Sequence, residues 1–412
     1  MLLKKNIFLG LEKQLKTFKY KLYHSKKNKY LNEQTRICGN IYNHCIRLHY
    51  RYFQIYKKHL NKYQLQKHLT KLKKLDKYSF WNKVDAQAIQ EITDRIERSY
   101  KAFFKNCKAK TKTRKVGIPS FKKSINYSSF TLKQTGYKLL PLNKVKINKK
   151  IYKYYKSRKI EGDIKCVTVK KDKLGDWYIY FVCNVENKPK LISMTGKTAG
   201  FDFGCIDFLT LDNKTKIKSP LFFKQNKKLV TNANKKVSSK VKGSNNHKKA
   251  KCNLARVHKR IANKRKDFHF KLAKKLCETY DIMHFETLDI ESMKKEHGKK
   301  INDLGFSDFI RILEFKALEY GKTINHIDKW FASTKNCSSC GFKNNNLTKR
   351  DRAWTCPECN AFHDRDINAS INIKSQGEKE VKKFKKFKKF KDGASSCRSD
   401  NIRLGLRQAV VA

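Results

Sequence analysis

Residues 329–373 read KWFASTKNCSSCGFKNNNLTKRDRAWTCPECNAFHDRDINASINI. Cys337 and Cys340 are two residues apart, fifteen residues follow, and Cys356 and Cys359 repeat the spacing. Each short CxxC turn offers two sulfurs to one point, so two such turns at this separation place four thiolates around a single tetrahedral ion. One zinc per chain is expected. With four thiolates it has no open position for a water, so it folds a ribbon and does no catalysis. Just after the ribbon, HDRDINASINI (363–373) reads as a helix with acids at its start.

Two segments upstream supply further acids. Ala199-Gly200-Phe201-Asp202-Phe203-Gly204 opens an apolar strand, and Phe208-Leu209-Thr210-Leu211 follows after a turn, as in a β-hairpin. Asp202 is then an acid inside an otherwise buried strand, which is costly unless a cation or partner sits beside it. Ile282-Met283-His284-Phe285-Glu286 is a second short apolar strand ending in a carboxylate. Taken singly, Asp202 or Glu286 could be a satisfied structural carboxylate. Together, an early-strand Asp, a strand-end Glu and a late-helix Asp follow the order in which RNase H-like folds gather three carboxylates. Three carboxylates at one point cannot all stay ionised without cations. Two divalent ions about 3.5 to 4 Å apart would neutralise them, activate a water and stabilise the leaving oxygen of a phosphodiester. Magnesium is the expected ion, being hard and held by a few carboxylates plus phosphate oxygens.

The whole chain points to a polyanionic partner. Its 412 residues carry 97 Lys and Arg against 35 Asp and Glu, a formal charge of +62. A compact state so charged repels itself unless a polyanion such as nucleic acid neutralises it. The excess of Lys over Arg and the frequent Asn and Ile fit an AT-rich genome, which accounts for part of the charge but not its sign or size. Hydrophobic residues make up 39%, enough for real cores, and the length suggests two to four units. No apolar run approaches the roughly 18 residues of a membrane span, and MLLKKNIFLGLEKQLK makes a poor signal peptide. Apart from the two CxxC pairs, the 13 cysteines form no framework, which suits a reducing compartment.

Periodicity divides the rest. Residues 16–31 begin with alternating apolar and basic residues, predicting a strand before a helix that starts near Asn32. From about 33 to 109 helices are expected, with Ile89, Ile92, Ile96, Tyr100 and Phe103 on one packed face and basic residues such as Lys71, Lys73 and Lys74 on others. Gly117-Ile118-Pro119 ends the run. Short strands follow, among them Trp177–Val182 after the turn at Gly175-Asp176. Residues 236–280 predict one long basic amphipathic helix with Phe268, Leu272 and Leu276 toward a core. From about 377 the chain carries KKFKKFKKFK, for which low order is expected, with either phosphate contact or plain solvation as its role.

GFDFG, IMHFETLDI and above all residues 329–373 closely resemble the TnpB nucleases encoded by transposons, relatives of type V CRISPR effectors. VDAQAIQEITDRIERSYKAFF and GIPSFKK resemble that family's amino-terminal half, so the likeness covers nearly the whole chain. It implies a multidomain α+β chain: an RNase H-like (RuvC) α/β nuclease core with a zinc-ribbon insert, a β-barrel-like wedge domain and a helical recognition domain. The implied boundaries are wedge 1–31 and 110–192, recognition domain 32–109, RuvC 193–333 and 361–376, ribbon 334–360 and a basic tail 377–412. Carried over residue by residue, the catalytic acids are Asp202, Glu286 and Asp366, with Asp364 the runner-up for the third place because HDRD offers two acids. Ser370 stands where the family usually has Ala. The KKFKKFKKFK tract matches nothing in the family.

The resemblance further implies a guide RNA from the transposon end, double-stranded target DNA with a short flanking motif, and cleavage in one RuvC site. No membrane is implied; the location would be the cytoplasm, at the nucleoid of a bacterium or archaeon, or the nucleus of a eukaryote. A catalytically silent guided DNA-binding protein and a DNA-joining transposase are the alternatives, since the RNase H-like core alone does not exclude the latter.

Overall fold

The computed structural model describes residues 13–109, 116–186, 194–348 and 350–394. It is a mixed α/β chain whose described residues divide into two compact units, one within 10–187 with 243–256 and the other within 188–242 with the chain from 257 onward.

In the first unit, β1 (Lys13–Lys21) precedes α1 (Asn28–Tyr56), so the predicted helix begins a turn earlier than Asn32. α2 (Lys62–Leu72) and α3 (Ala86–Lys108) follow. Asn61 and Gln64 form a reciprocal capping box at the start of α2, and the Asp85 carboxylate caps α3 by accepting the Gln87 N–H. The expected stripe on α3 is core: Ile89, Ile92, Ile96 and Tyr100 are buried and Phe103 half-buried. The strands are β2 (Ser129–Leu132), β3 (Tyr137–Leu140), β4 (Lys144–Ile147), β5 (Lys150–Lys153), β6 (Asp163–Lys171) and β7 (Trp177–Glu186). They make an antiparallel sheet ordered β1-β7-β6-β2 and a separate three-stranded sheet β3-β4-β5, linked by an isolated Leu22–Tyr154 bridge. Alternation sets the faces: Trp177, Ile179, Phe181 and Cys183 of β7 are buried, with less buried residues between them.

The second unit is built on β8 (Thr198–Asp202), β9 (Asp207–Leu211), β10 (Lys216–Lys218), β11 (Ile282–Glu286) and β12 (Thr323–Ile327). The order is β10-β9-β8-β11-β12, antiparallel from β10 to β8 and parallel from β8 through β11 to β12. Strands paired on both sides read as apolar runs, as Met283, His284 and Phe285 do, all buried. Short α4 (Phe222–Gln225) precedes α5 (Lys227–Ser238) and α6 (Asn245–Thr279), whose residues from 257 onward belong to this unit. The single helix expected over 236–280 is therefore two helices, interrupted where Gly243 takes a positive φ of 93°. Leu272 and Leu276 are buried in the core and Phe268 packs against it, as their spacing predicts. α7 (Ile290–Leu304) and α8 (Phe306–Tyr320) flank the left-handed Gly305.

A small hairpin, β13 (Ala353–Thr355) with β14 (Phe362–Asp364), leads into α9 (Arg365–Ala394). α9 runs past 377 into the basic tract, its backbone helical to Ala394, since extending a helix already nucleated costs little per residue. The remainder of the tail lies outside the described residues. Among these, no helix is long and apolar enough to cross a membrane.

Candidate active site and metal centre

β8 and β11 are parallel neighbours with Phe201 opposite Phe285, so the next residue on each, Asp202 and Glu286, emerges at the same edge of the sheet. Asp366 lies in the first turn of α9. That helix comes so close to β8 that a side chain at Gly200 would collide with the carbonyl oxygen of Ser370 and the backbone at Lys374. Ser370 itself is buried, and its hydroxyl donates to the Ile367 carbonyl of its own helix at 2.7 Å, so the departure from Ala leaves no unsatisfied polar atom.

Burial, then the negative charges of Asp366 and Glu286, push the Asp202 carboxyl well above the ordinary range, against an opposing contribution from Arg365. Burial also raises Glu286, which the Ser333 hydroxyl counters by donating to Oε2 at 3.0 Å. Arg352 Nη1 lies 3.6 Å from Asp366. The three acids thus share one electrostatic neighbourhood, although they do not converge as tightly as the thiols described below. Among the described residues, only the four cysteines have candidate ligand atoms all within 4.8 Å of one another.

Asp364 is differently employed. It pairs with Lys216 at 2.7 Å and accepts the N–H groups of Asp366 and Ile367, each at 3.1 Å, as a cap on α9. Burial would raise its carboxyl, but Lys216 and these N–H groups outweigh it and hold the group below the usual range.

The cysteines meet as their spacing predicts. Cys337 and Cys359 sulfurs are 3.6 Å apart and those of Cys340 and Cys356 3.7 Å. Four thiolates at about 2.3 Å from one tetrahedral ion are separated by about 3.8 Å, so the cluster has room for a metal. Burial would raise the Cys337 thiol, but the N–H groups of Cys340 and Ser339 and the His363 ring bring it down to about 5. His363 Nε2 stands 3.0 Å from the Cys337 sulfur, and its ring packs on Trp354 with centroids 4.9 Å apart. Such an outer contact orients a ligating thiolate. Ser333, Arg352 and His363 had no spacing signal to mark them; each is identified by its contacts.

Two family models match. One described as "Probable transposase" (OrfB_IS605) covers residues 180–297, and one described as "Cas12f1-like, TNB domain" covers 306–373. A "Putative RNA-guided DNA endonuclease" of Streptomyces pristinaespiralis is 30% identical over 312 residues, 75% of this chain and 76% of that protein. The "Putative RNA-guided DNA endonuclease InsQ" of Escherichia coli (strain K12) is 26% identical, covering 71% of this chain and 74% of the relative. Among solved structures, a chain of the "Cas12f1-sgRNA-target DNA complex" matches with a TM-score of 0.57 at 17% identity, over 88% of this chain and 99% of that one. At that identity the likeness concerns the fold.

Proposed function

Because the chain belongs to the transposon-encoded TnpB family of RNA-guided DNA endonucleases, we propose that it cuts double-stranded DNA selected by pairing with a bound guide RNA, in one site built from Asp202, Glu286 and Asp366. The observation that carries this reading is geometric: Asp202 and Glu286 leave adjacent parallel strands at the same edge, and Asp366 stands in the first turn of the helix packed against β8. A buried carboxylate with two other acids beside it needs cations to ionise.

The donor set is all oxygen and suits magnesium, which Asp202, Glu286 and Asp366 would hold. Held there, such ions would supply an activated water and charge stabilisation for the leaving oxygen of the phosphodiester. The chain's own residues hold the acids in register: the strand pairing sets Asp202 beside Glu286, the close α9 contact at Gly200 carries Asp366, and Arg352 balances its charge. The cysteine cluster suits one structural zinc, because its four thiolates leave no open position.

The second unit is read as a RuvC core (193–333 and 361–376) of RNase H-like kind, supported by its sheet order, with the zinc ribbon 334–360 as a target-binding insert. The sheets of the first unit are read as a barrel-like wedge (1–31 and 110–192) and its helices as the recognition domain (32–109). A guide RNA accounts for a charge of +62. In this reading base pairing chooses the sequence, while the protein reads a short flanking motif and the backbone shape of the heteroduplex. The protein would work where its host keeps DNA, at the nucleoid or in a nucleus.

The test is to purify the protein, sequence the RNA that accompanies it, and measure magnesium-dependent cutting of matched and mismatched targets with and without that RNA. Cutting of the matched target alone, lost when RNA is removed, is expected. Equal cutting of both targets, or full activity without RNA, would overturn the guided mechanism. The "Probable transposase" description favours a second reading, strand transfer, which predicts joined DNA ends without RNA.

A further inference from the structure

The segment leading into the cysteine cluster is fixed by buried polar contacts that the cluster itself does not require. Ser333 is buried, and its hydroxyl donates to Glu286 Oε2 at 3.0 Å. Its carbonyl accepts from Asn372 Nδ2 at 2.8 Å, and the same amide donates to the Asn336 carbonyl at 2.6 Å. One turn earlier on α9, Asn368 Nδ2 donates to the Asn336 carbonyl at 2.7 Å, while its Oδ1 accepts the Ser338 N–H at 2.9 Å. Both asparagines are buried and stand four residues apart, hence on one face of α9, the helix with Asp366 in its first turn. Buried amides are costly unless bonded, and these satisfy themselves on residues 333–338.

We propose that Ser333 is a positioning residue for Glu286, held in place by Asn372 and Asn368, so that the approach to the cysteine cluster ties Glu286 to the helix that carries Asp366. The proposal rests on Glu286 and Asp366 being metal-binding acids. A glutamate at a strand end has three side-chain torsions to fix, and a single charge-assisted hydrogen bond from a buried hydroxyl selects among them. Cys337 lies within the clamped segment, so the cluster anchors one end of the tie.

The test uses the full chain with its copurified RNA. Ser333→Ala, Ser333→Thr and Glu286→Ala are compared for zinc content, melting temperature, target binding and single-turnover cleavage across a magnesium series. Ser333→Ala is expected to bind target and zinc normally, to cut roughly ten- to a hundredfold more slowly, and to need more magnesium for half-maximal rate, on the scale of a lost hydrogen bond to an ionised group. Ser333→Thr, which keeps the hydroxyl, should restore most of the rate. Wild-type cleavage by Ser333→Ala at every magnesium concentration overturns the proposal, as does a loss that lies wholly in target binding or zinc content. If Ser333→Ala does not fold, Ser333→Cys fills the same space with a weak donor, and full-rate cutting by that variant counts equally against the proposal. Normal cutting by Glu286→Ala would instead overturn the site beneath it, and with it any role for Ser333; inactive Glu286→Ala beside fully active Ser333→Ala would remove Ser333 alone.

Discussion

Phe201 and Phe285 face each other across adjacent parallel strands with their rings stacked, centroids 4.7 Å apart and planes 10° from parallel. This apolar pair fixes the register in which the following residues, Asp202 and Glu286, leave the sheet together. A slip of one residue would turn an acid into the core and a phenylalanine out of it.

Replacing any of Asp202, Glu286 or Asp366 with Ala should abolish cutting while leaving guide and target binding largely intact, because bound cations act on the transition state and affinity comes from dispersed phosphate contacts. Cleavage assays beside gel-shift measurements check this, and near wild-type cutting in magnesium removes a residue from the site. Asp364→Ala is the contrasting variant: it should cost about 1 kcal/mol in stability through the lost cap and retain cutting. An inactive Asp364→Ala beside an active Asp366→Ala would reverse the assignment.

Acidity should affect the site in a defined direction. Asp202 sits well above the ordinary carboxylate range when folded, so between its unfolded and folded pKa values the native state holds a proton that the unfolded chain has released. The associated stability is full below the unfolded value and is lost as pH rises through the folded one. Asp202→Asn, which cannot ionise, should therefore raise the melting temperature of metal-free protein at neutral pH, with the difference shrinking toward acid pH. Equal melting curves at neutral pH would contradict the burial and repulsion described.

One zinc per chain is expected, lost in Cys337→Ser and Cys356→Ser. The apolar cluster there comprises Cys337, Trp354 and Cys356 with Phe342 and Leu347 packed against it, too small a core to fold without the metal. Proteolysis should then open the ribbon and spare α1 to α3, and target engagement should weaken. Elemental analysis showing no zinc in protein purified without chelator would refute this.

Gly200→Ala should be more damaging than its size suggests. The added carbon would meet backbone atoms of α9 rather than a flexible side chain, so the helix has to move. Overpacking of this kind costs about 1–3 kcal/mol, and here it displaces the helix bearing Asp366. A lower melting temperature with reduced cutting is expected; an unchanged cleavage rate would show that α9 tolerates the shift.

Much of this was legible in advance because it rests on spacing. The CxxC pairs and the α3 stripe repeat at spacings that geometry dictates, and the strand ending in Glu286 shows as a short apolar run closed by an acid. The break between α5 and α6 was not, since a lone Gly243 amid lysines competes with a strong basic helical pattern. The continuation of α9 past 377 was missed because composition alone suggested a solvated tail. Ser333, Asn368 and Asn372 are single polar residues in unremarkable positions, and their significance depends on partners distant in sequence.

The seating of α9 on β8 has a consequence for synthesis. The chain leaves the ribosome from its amino end, so Asp202 and Glu286 emerge long before Asp366, and the strip of β8 around Gly200 stays uncovered until that last helix arrives. A prematurely terminated product would lack α9 and expose a sheet face that promotes aggregation. Interrupted translation would therefore yield fragments that are prone to clearance.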